Sequence, residues 1–324
     1  MTNPDVNAEL EFNRRAIPPE AVETRWLAGD GQAIRRIDWL MPRGAVRGSI
    51  LFLPGRGDFY EKYLETLDGW HRAGWRVTAL DLRGQAGSGR LGNDPLTGHI
   101  DDFSTWVADI AAFWAEWRAA TPGPHVAIGH SMGGHLVLRA MAEHKIDPDA
   151  AVLSAPMLGF AGPPLPSGLL HQIAKLMASL GDRKRPAWKW SEKPGELPED
   201  RAELLTHDLD RYSDELWWRE HRPEVAMGPG SWGWVERAYA STRWLAQPEV
   251  LGGVKSPVLL LCADHDKLVS SKATRAAATH LIRGQLVRYG TEARHEVLRE
   301  ADEVRDKVLA TIDDFLDRAA PRQD

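Results

Sequence analysis

Hydrophobic positions along the chain form two kinds of pattern, and their order predicts the architecture. Between residues 22 and 39, two runs of alternating polar and apolar residues flank Ala28-Gly29-Asp30-Gly31, a turn sequence, which predicts an antiparallel hairpin at the start of the fold. Short continuous apolar runs follow at residues 49–53, 75–80, 125–128, 150–153, 258–262 and 285–289. Such runs read as strands buried on both faces. Helical periodicity separates most of them, at residues 60–72, 101–120, 132–143, 272–281 and 299–318. The alternation predicts an α/β protein on a doubly wound, mostly parallel sheet.

The alternation breaks over residues 156–253, where strand-like runs are missing and a helix-period stripe appears at Leu169, Leu170, Ile173, Leu176, Met177 and Leu180. This predicts a core of residues 1–155 and 254–324 interrupted by a mainly helical insertion, 156–253. Length agrees: 324 residues exceed the ~250 to 300 at which a single core stops growing. The insertion holds seven of the 14 tryptophans (Trp188, Trp190, Trp217, Trp218, Trp232, Trp234 and Trp244), which read as its core rather than as a ligand cage. The stripe reads in the same way, as packing the insertion onto the main domain. Two other uses, lining an acyl pocket and resting on a membrane surface, stay open. Arg183, Lys184 and Arg185 could attract a phosphate headgroup, though a short basic run is usually a solvated face.

Composition removes several classes of function. A formal charge of -6 leaves no basic footprint for nucleic acid. The single cysteine, Cys262, allows neither an internal disulfide nor a cysteine metal cage. The first residues lack the basic start and apolar stretch of a signal peptide, and no run approaches ~18 apolar residues, so the expected location is cytoplasmic.

The chemistry is carried by Gly129-His130-Ser131-Met132-Gly133-Gly134, which lies directly after one predicted strand and before one predicted helix. This is G-x-S-x-G in the context it requires: a strained strand-to-helix turn lifts the serine above the sheet, and side chains at 129 and 133 would strike neighbouring backbone. Serine needs a base to take its proton and an acid to hold that base, in the chain order Ser, acid, His. His295 lies in the loop after the last strand. His280, the other histidine beyond the acid candidates, falls on a predicted helix. The acid is sought after the strand at 258–262, in Ala263-Asp264-His265-Asp266. Asp266 is preferred, because Asp264 sits where a turn or cap residue serves structure. Oxyanion donors are expected from the N–H of Met132, after the nucleophile, and of Arg56, in Leu53-Pro54-Gly55-Arg56-Gly57.

Two motifs are discounted. Gly87-Ser88-Gly89-Arg90-Leu91-Gly92 matches a dinucleotide fingerprint by letter, but no helix follows to hold a phosphate. His295-Glu296 lacks the second histidine of a helical zinc site. No metal or cofactor is implied.

Together with Asp81-Leu82-Arg83-Gly84-Gln85 and His99-Ile100-Asp101-Asp102-Phe103, these segments resemble the lysophospholipase and monoacylglycerol lipase group of α/β-hydrolases, often catalogued as serine aminopeptidase-like hydrolases. Within and beside the insertion, Leu153-Ser154-Ala155-Pro156-Met157 and Leu205-Thr206-His207-Asp208 with Arg211-Tyr212 are similar to bacterial lysophospholipases in particular. The resemblance implies the α/β-hydrolase fold with residues 156–253 as a cap over the active site. It places the nucleophile on Ser131, the acid on Asp266, the base on His295 and the oxyanion donors on Arg56 and Met132. One departure stands out: many relatives carry His-Gly where this chain has Pro54-Gly55, so a side chain that can buttress the loop is missing.

The activity implied is hydrolysis of a carboxylic ester with one acyl chain, such as a lysophospholipid or monoacylglycerol, through an acyl-enzyme. Its partner would be a small-molecule or lipid ester, with transient membrane-surface contact through the cap. Lactone, small-ester or N-terminal peptide hydrolysis would use the same triad. A binding protein on an inactive hydrolase scaffold is the alternative of another class, disfavoured because all three triad positions are filled. Activity should fall as pH drops through the histidine's titration, near ~6.5 if unperturbed.

Overall fold

The computed structural model describes residues 12–40, 45–162, 165–189 and 199–322; Trp190 lies outside them. Eight strands form one sheet: β1 (Ala21–Leu27), β2 (Ala33–Trp39), β3 (Gly48–Leu53), β4 (Trp75–Leu80), β5 (His125–His130), β6 (Ala150–Ser154), β7 (Val258–Ala263) and β8 (Gly284–Tyr289). Their order is β1-β2-β4-β3-β5-β6-β7-β8. The opening hairpin pairs antiparallel, with Leu27 opposite Ala33 across the turn, and β2 runs antiparallel to β4. All later pairings are parallel.

Helices cover both faces: α1 (Leu64–Arg72), α2 (Phe103–Ala120), α3 (Met132–Ala142), then α4 (Ser167–Ser179), α5 (Glu199–Leu205), α6 (Leu209–His221), α7 (Trp232–Leu245) and α8 (Pro248–Leu251) between β6 and β7, and finally α9 (Ser271–His280) and α10 (Asp302–Ala319). Side chains alternate between two cores. Leu51 and Leu53 of β3 face Phe103, Ile110 and Leu136 of α2 and α3, while Ile50 and Phe52 face Leu67 and Trp70 of α1 and Val308 and Ile312 of α10. Period-two burial on both faces explains why β3 to β7 are continuous apolar runs. The edge strand β8 departs from that expectation. Only Tyr289 of its six residues is buried, because no strand lies beyond it.

Strand β3 is flanked by β4 on one side and β5 on the other, so the winding direction reverses between β3 and β5. In an open α/β sheet, ligands bind beyond the carboxyl ends of the strands at such a reversal. The loops there are residues 54–59 and the turn at Ser131.

Candidate active site

Strand β5 ends at His130 and α3 begins at Met132, leaving Ser131 alone to turn the chain, at φ 50° and ψ −115°. A non-glycine residue there is strained by about 1–3 kcal/mol and needs external ties. The Ser131 N–H donates to Ser154 O (2.9 Å), and its carbonyl accepts from Met157 N (2.9 Å) and His135 N (3.0 Å). The flanking glycines are obligatory on contact grounds. A Cβ at Gly129 would lie 2.5 Å from Gly133 C, and one at Gly133 would lie 2.1 Å from Leu53 O.

The loops after β7 and β8 bring in the other two groups. His295 Nδ1 lies 2.7 Å from Asp266 Oδ2. Asp266 Oδ1 accepts from Leu268 N (2.7 Å) and Val269 N (3.0 Å), so the carboxylate is held on both oxygens. An ionised carboxylate only accepts, which puts the proton on Nδ1 and leaves Nε2 as the basic nitrogen. Burial opposes charge on both groups, yet each stabilises the other: Asp266 titrates below its ordinary range and His295 above its own. Asp264 is occupied elsewhere, paired with Arg288 (2.7 Å) and Arg275 (3.1 Å). His280 closes α9.

The loop after β3 is held without the missing histidine. Gly55 N–H donates to Asp58 Oδ2 (3.1 Å) and Gly57 N–H to Gln85 Oε1 (2.7 Å). Both N–H groups flanking Arg56 are thus committed within the protein. The Arg56 side chain donates to Gly228 O (2.7 Å), with its guanidinium 5.1 Å from the Trp188 ring and 5.0 Å from the Trp234 ring. Met132, first residue of α3, sits where helical N–H groups lack intrahelical acceptors.

Ser131 and His295 line one cavity of about 510 Å³, with Met157, Phe160, Leu205 and Tyr239 among its apolar walls. Trp188, Trp232 and Trp234 also line it, so part of the tryptophan-rich segment faces ligand space, contrary to the expectation of a purely internal role. Trp218 is buried as expected, and Trp217 stacks on His221 at 3.8 Å. The α4 stripe is a second correction. Leu169, Ile173, Leu176 and Leu180 are 43% to 57% exposed, Leu170 and Met177 are half-buried and only Ala174 of α4 is buried, so most of the stripe faces outward and none of it lines the cavity. In the basic run, Arg185 donates to Met177 O (2.6 Å) and Asp182 O (2.9 Å), near the end of α4.

Three groups that the sequence spacing hides also meet here. Ligand atoms of Asp58, His130 and Glu296 lie within 4.8 Å of one another, a disposition that could hold a cation. The Lys62 ammonium already bonds Asp58 and Glu296, each at 2.5 Å.

The profile of the hydrolase family described as serine aminopeptidase, S33, matches residues 44–302. The chain belongs to that family. It is 32% identical over 286 residues to Lysophospholipase L2 of Escherichia coli, covering 83% of this chain and 80% of that protein. It is 27% identical over 310 residues to a probable lysophospholipase L2 of Haemophilus influenzae, covering 92% of this chain and 93% of that one. Among solved structures, a soluble variant of monoglyceride lipase from Saccharomyces cerevisiae superposes with a TM-score of 0.74 at 18% identity, over 97% of this chain and 99% of that one. At such identity the superposition establishes the α/β-hydrolase fold, as the resemblance implied.

Proposed function

We propose that the protein hydrolyses carboxylic esters with a single acyl chain, such as lysophospholipids or monoacylglycerols, through an acyl-enzyme on Ser131. The observation that carries this reading is the His295–Asp266 pair at 2.7 Å opening, with the strained Ser131, onto one largely apolar cavity. In this mechanism Ser131 Oγ attacks the ester carbonyl carbon as His295 Nε2 takes its proton. Asp266 stabilises the imidazolium, and the N–H groups of Arg56 and Met132 receive the oxyanion. Collapse expels the alcohol, protonated by His295. Water, deprotonated by the same nitrogen, then releases the fatty acid and restores Ser131.

The names of the bacterial relatives favour a lysophospholipid, and the apolar walls suit an acyl chain. Peptide hydrolysis from a free amino end is less well served. The cavity's two acidic wall residues among those described, Asp58 and Glu296, are both paired with Lys62 and so poorly placed to receive an α-ammonium.

Residues 156–253 would form the cap, with the exposed stripe of α4 resting on the lipid surface that supplies substrate. No helix among the described residues is long and apolar enough to cross a membrane; the contact proposed is peripheral, at a cytoplasmic face. A panel of esters graded by acyl length and headgroup tests the reading. Turnover of single-chain lipids by the wild type, lost in Ser131→Ala, is expected; turnover preserved in Ser131→Ala overturns it. For the cap, Leu169→Asp with Leu176→Asp should abolish flotation with anionic vesicles, and undiminished flotation excludes α4 as the contact.

A further inference from the structure

At the wall of the cavity, three carboxylates from three separate parts of the fold converge on one ammonium. Lys62 Nζ lies 2.5 Å from Asp58 Oδ1, 2.5 Å from Glu296 Oε1 and 2.8 Å from Glu215 Oε2, and none of the four side chains is more than 8% exposed. Asp58 belongs to the loop that carries Arg56. Glu296 follows His295. Glu215 lies on α6, within the insertion. Arg299 joins the cluster through Glu296 and through Glu215 (3.2 Å), and Arg219 pairs with Glu215 at 2.7 Å. Among these ion pairs, Lys62 alone touches all three anions, and Arg201 adds a further positive charge near Glu215.

Buried charges are tolerated only when paired, and removing one member leaves the others uncompensated. What this cluster holds is the geometry above it. Asp58 Oδ2 accepts from Gly55 N (3.1 Å) and Tyr63 Oη (2.8 Å), so Lys62 fixes the carboxylate that fixes the oxyanion loop, where Pro54 replaces a buttressing histidine. Despite burial, the Lys62 ammonium holds the Asp58 carboxyl below its ordinary range. The His130 ring, with Nε2 3.8 Å from Asp58 Oδ2, packs 4.8 Å from the His295 ring.

We propose that Lys62 is a positioning residue for ester hydrolysis: by tying the Arg56 loop, the His295 loop and α6 into one unit, it makes the docking of α6 set the alignment of donor and base. This rests on the hydrolase reading above. Lys62 touches no reacting atom, so its loss should act on turnover more than on substrate binding.

The test compares Lys62→Met and Glu215→Gln with wild type. Each is scored for kcat and KM on a monoacyl ester, for fold by circular dichroism, and for the acid limb of kcat/KM. Glu215→Gln keeps two of the three Lys62 contacts and the side-chain shape, and should lower kcat roughly 10-fold with KM little changed. Lys62→Met should lower kcat about 10²-fold, the scale of a misplacement near 1 Å. It should also move the acid limb to higher pH. His295 is faced by the anions Asp266, Glu296 and Asp58 and by His130, which burial keeps neutral with a pKa of about 4, and the cation Lys62 is bound to two of those anions. Deleting a cation from that set favours the imidazolium. If Lys62→Met does not fold, Glu215→Gln decides alone. Folded variants with kcat within about twofold of wild type and the same acid limb overturn the proposal. Turnover by the wild type with unchanged variants refutes the role of Lys62 only, whereas no wild-type turnover removes the reaction on which it rests.

Discussion

Asp266→Asn separates the proposed triad from its surroundings. Asp266 Oδ1 receives the N–H groups of Leu268 and Val269, at 2.7 and 3.0 Å. An asparagine satisfies both donors only by placing its carbonyl oxygen there, which turns its NH2 toward His295 Nδ1. That nitrogen must then accept, so the imidazole proton shifts to Nε2, where the lone pair for the Ser131 proton is needed. The wrong tautomer has cost about 10⁴ in kcat in a serine protease triad. At 1.36 kcal/mol per factor of ten this is about 5 kcal/mol of transition-state stabilisation. Stability should change far less, since a charge-assisted hydrogen bond becomes a neutral one, a difference of about 1–2 kcal/mol. Steady-state hydrolysis of a chromogenic ester, well above the His295 titration, gives kcat and KM separately, and circular dichroism reports the fold. Asp264→Asn, which breaks only pairs with Arg275 and Arg288, should stay within about threefold of wild type. A folded Asp266→Asn within about tenfold of wild-type kcat, or an equal loss in Asp264→Asn, would rule out Asp266 as the group that sets the His295 tautomer.

The acid limb of kcat/KM should lie above the ordinary histidine value of 6.5. Asp266 overcomes burial and raises the His295 pKa, so protonation disables the base as pH falls through that raised value; a limb at or below 6.5 contradicts the pairing. Gly133→Ala should displace the turn at Ser131, because its Cβ meets Leu53 O at 2.1 Å and Pro54 O at 2.5 Å; wild-type thermal stability and turnover would show that the elbow tolerates a side chain. Trp234→Ala enlarges the cavity and removes one ring from the Arg56 guanidinium, so selectivity between short and long acyl chains should change by about 10-fold in kcat/KM; an unaltered profile would mean that acyl chains bind elsewhere.

The main domain was legible in the sequence because its physics is local. Strands β3 to β7 bury both faces and read as apolar runs, and Gly129 and Gly133 mark backbone contacts that forbid a Cβ. Of the two aspartates weighed there, Asp266 meets His295 and Asp264 meets two arginines. The insertion was read less well. A helical stripe shows that α4 has an apolar face but not what that face meets, and here four of its six residues are exposed. Three tryptophans line ligand space for the same reason: aromatic content does not reveal direction. Least visible was the cluster around Lys62, whose partners lie four, 153 and 234 residues away along the chain. A lysine flanked by Tyr60 and Tyr63 carries no local sign that it is buried among carboxylates.

In the proposed mechanism Ser131 is a nucleophile activated by His295. Labelling of the purified protein with a fluorophosphonate probe, with the modified peptide identified by mass spectrometry, tests it most directly. One adduct is expected, on Ser131, with labelling abolished in Ser131→Ala and strongly slowed in His295→Ala. A folded wild type that fails to label, or an adduct that persists in Ser131→Ala, would contradict it.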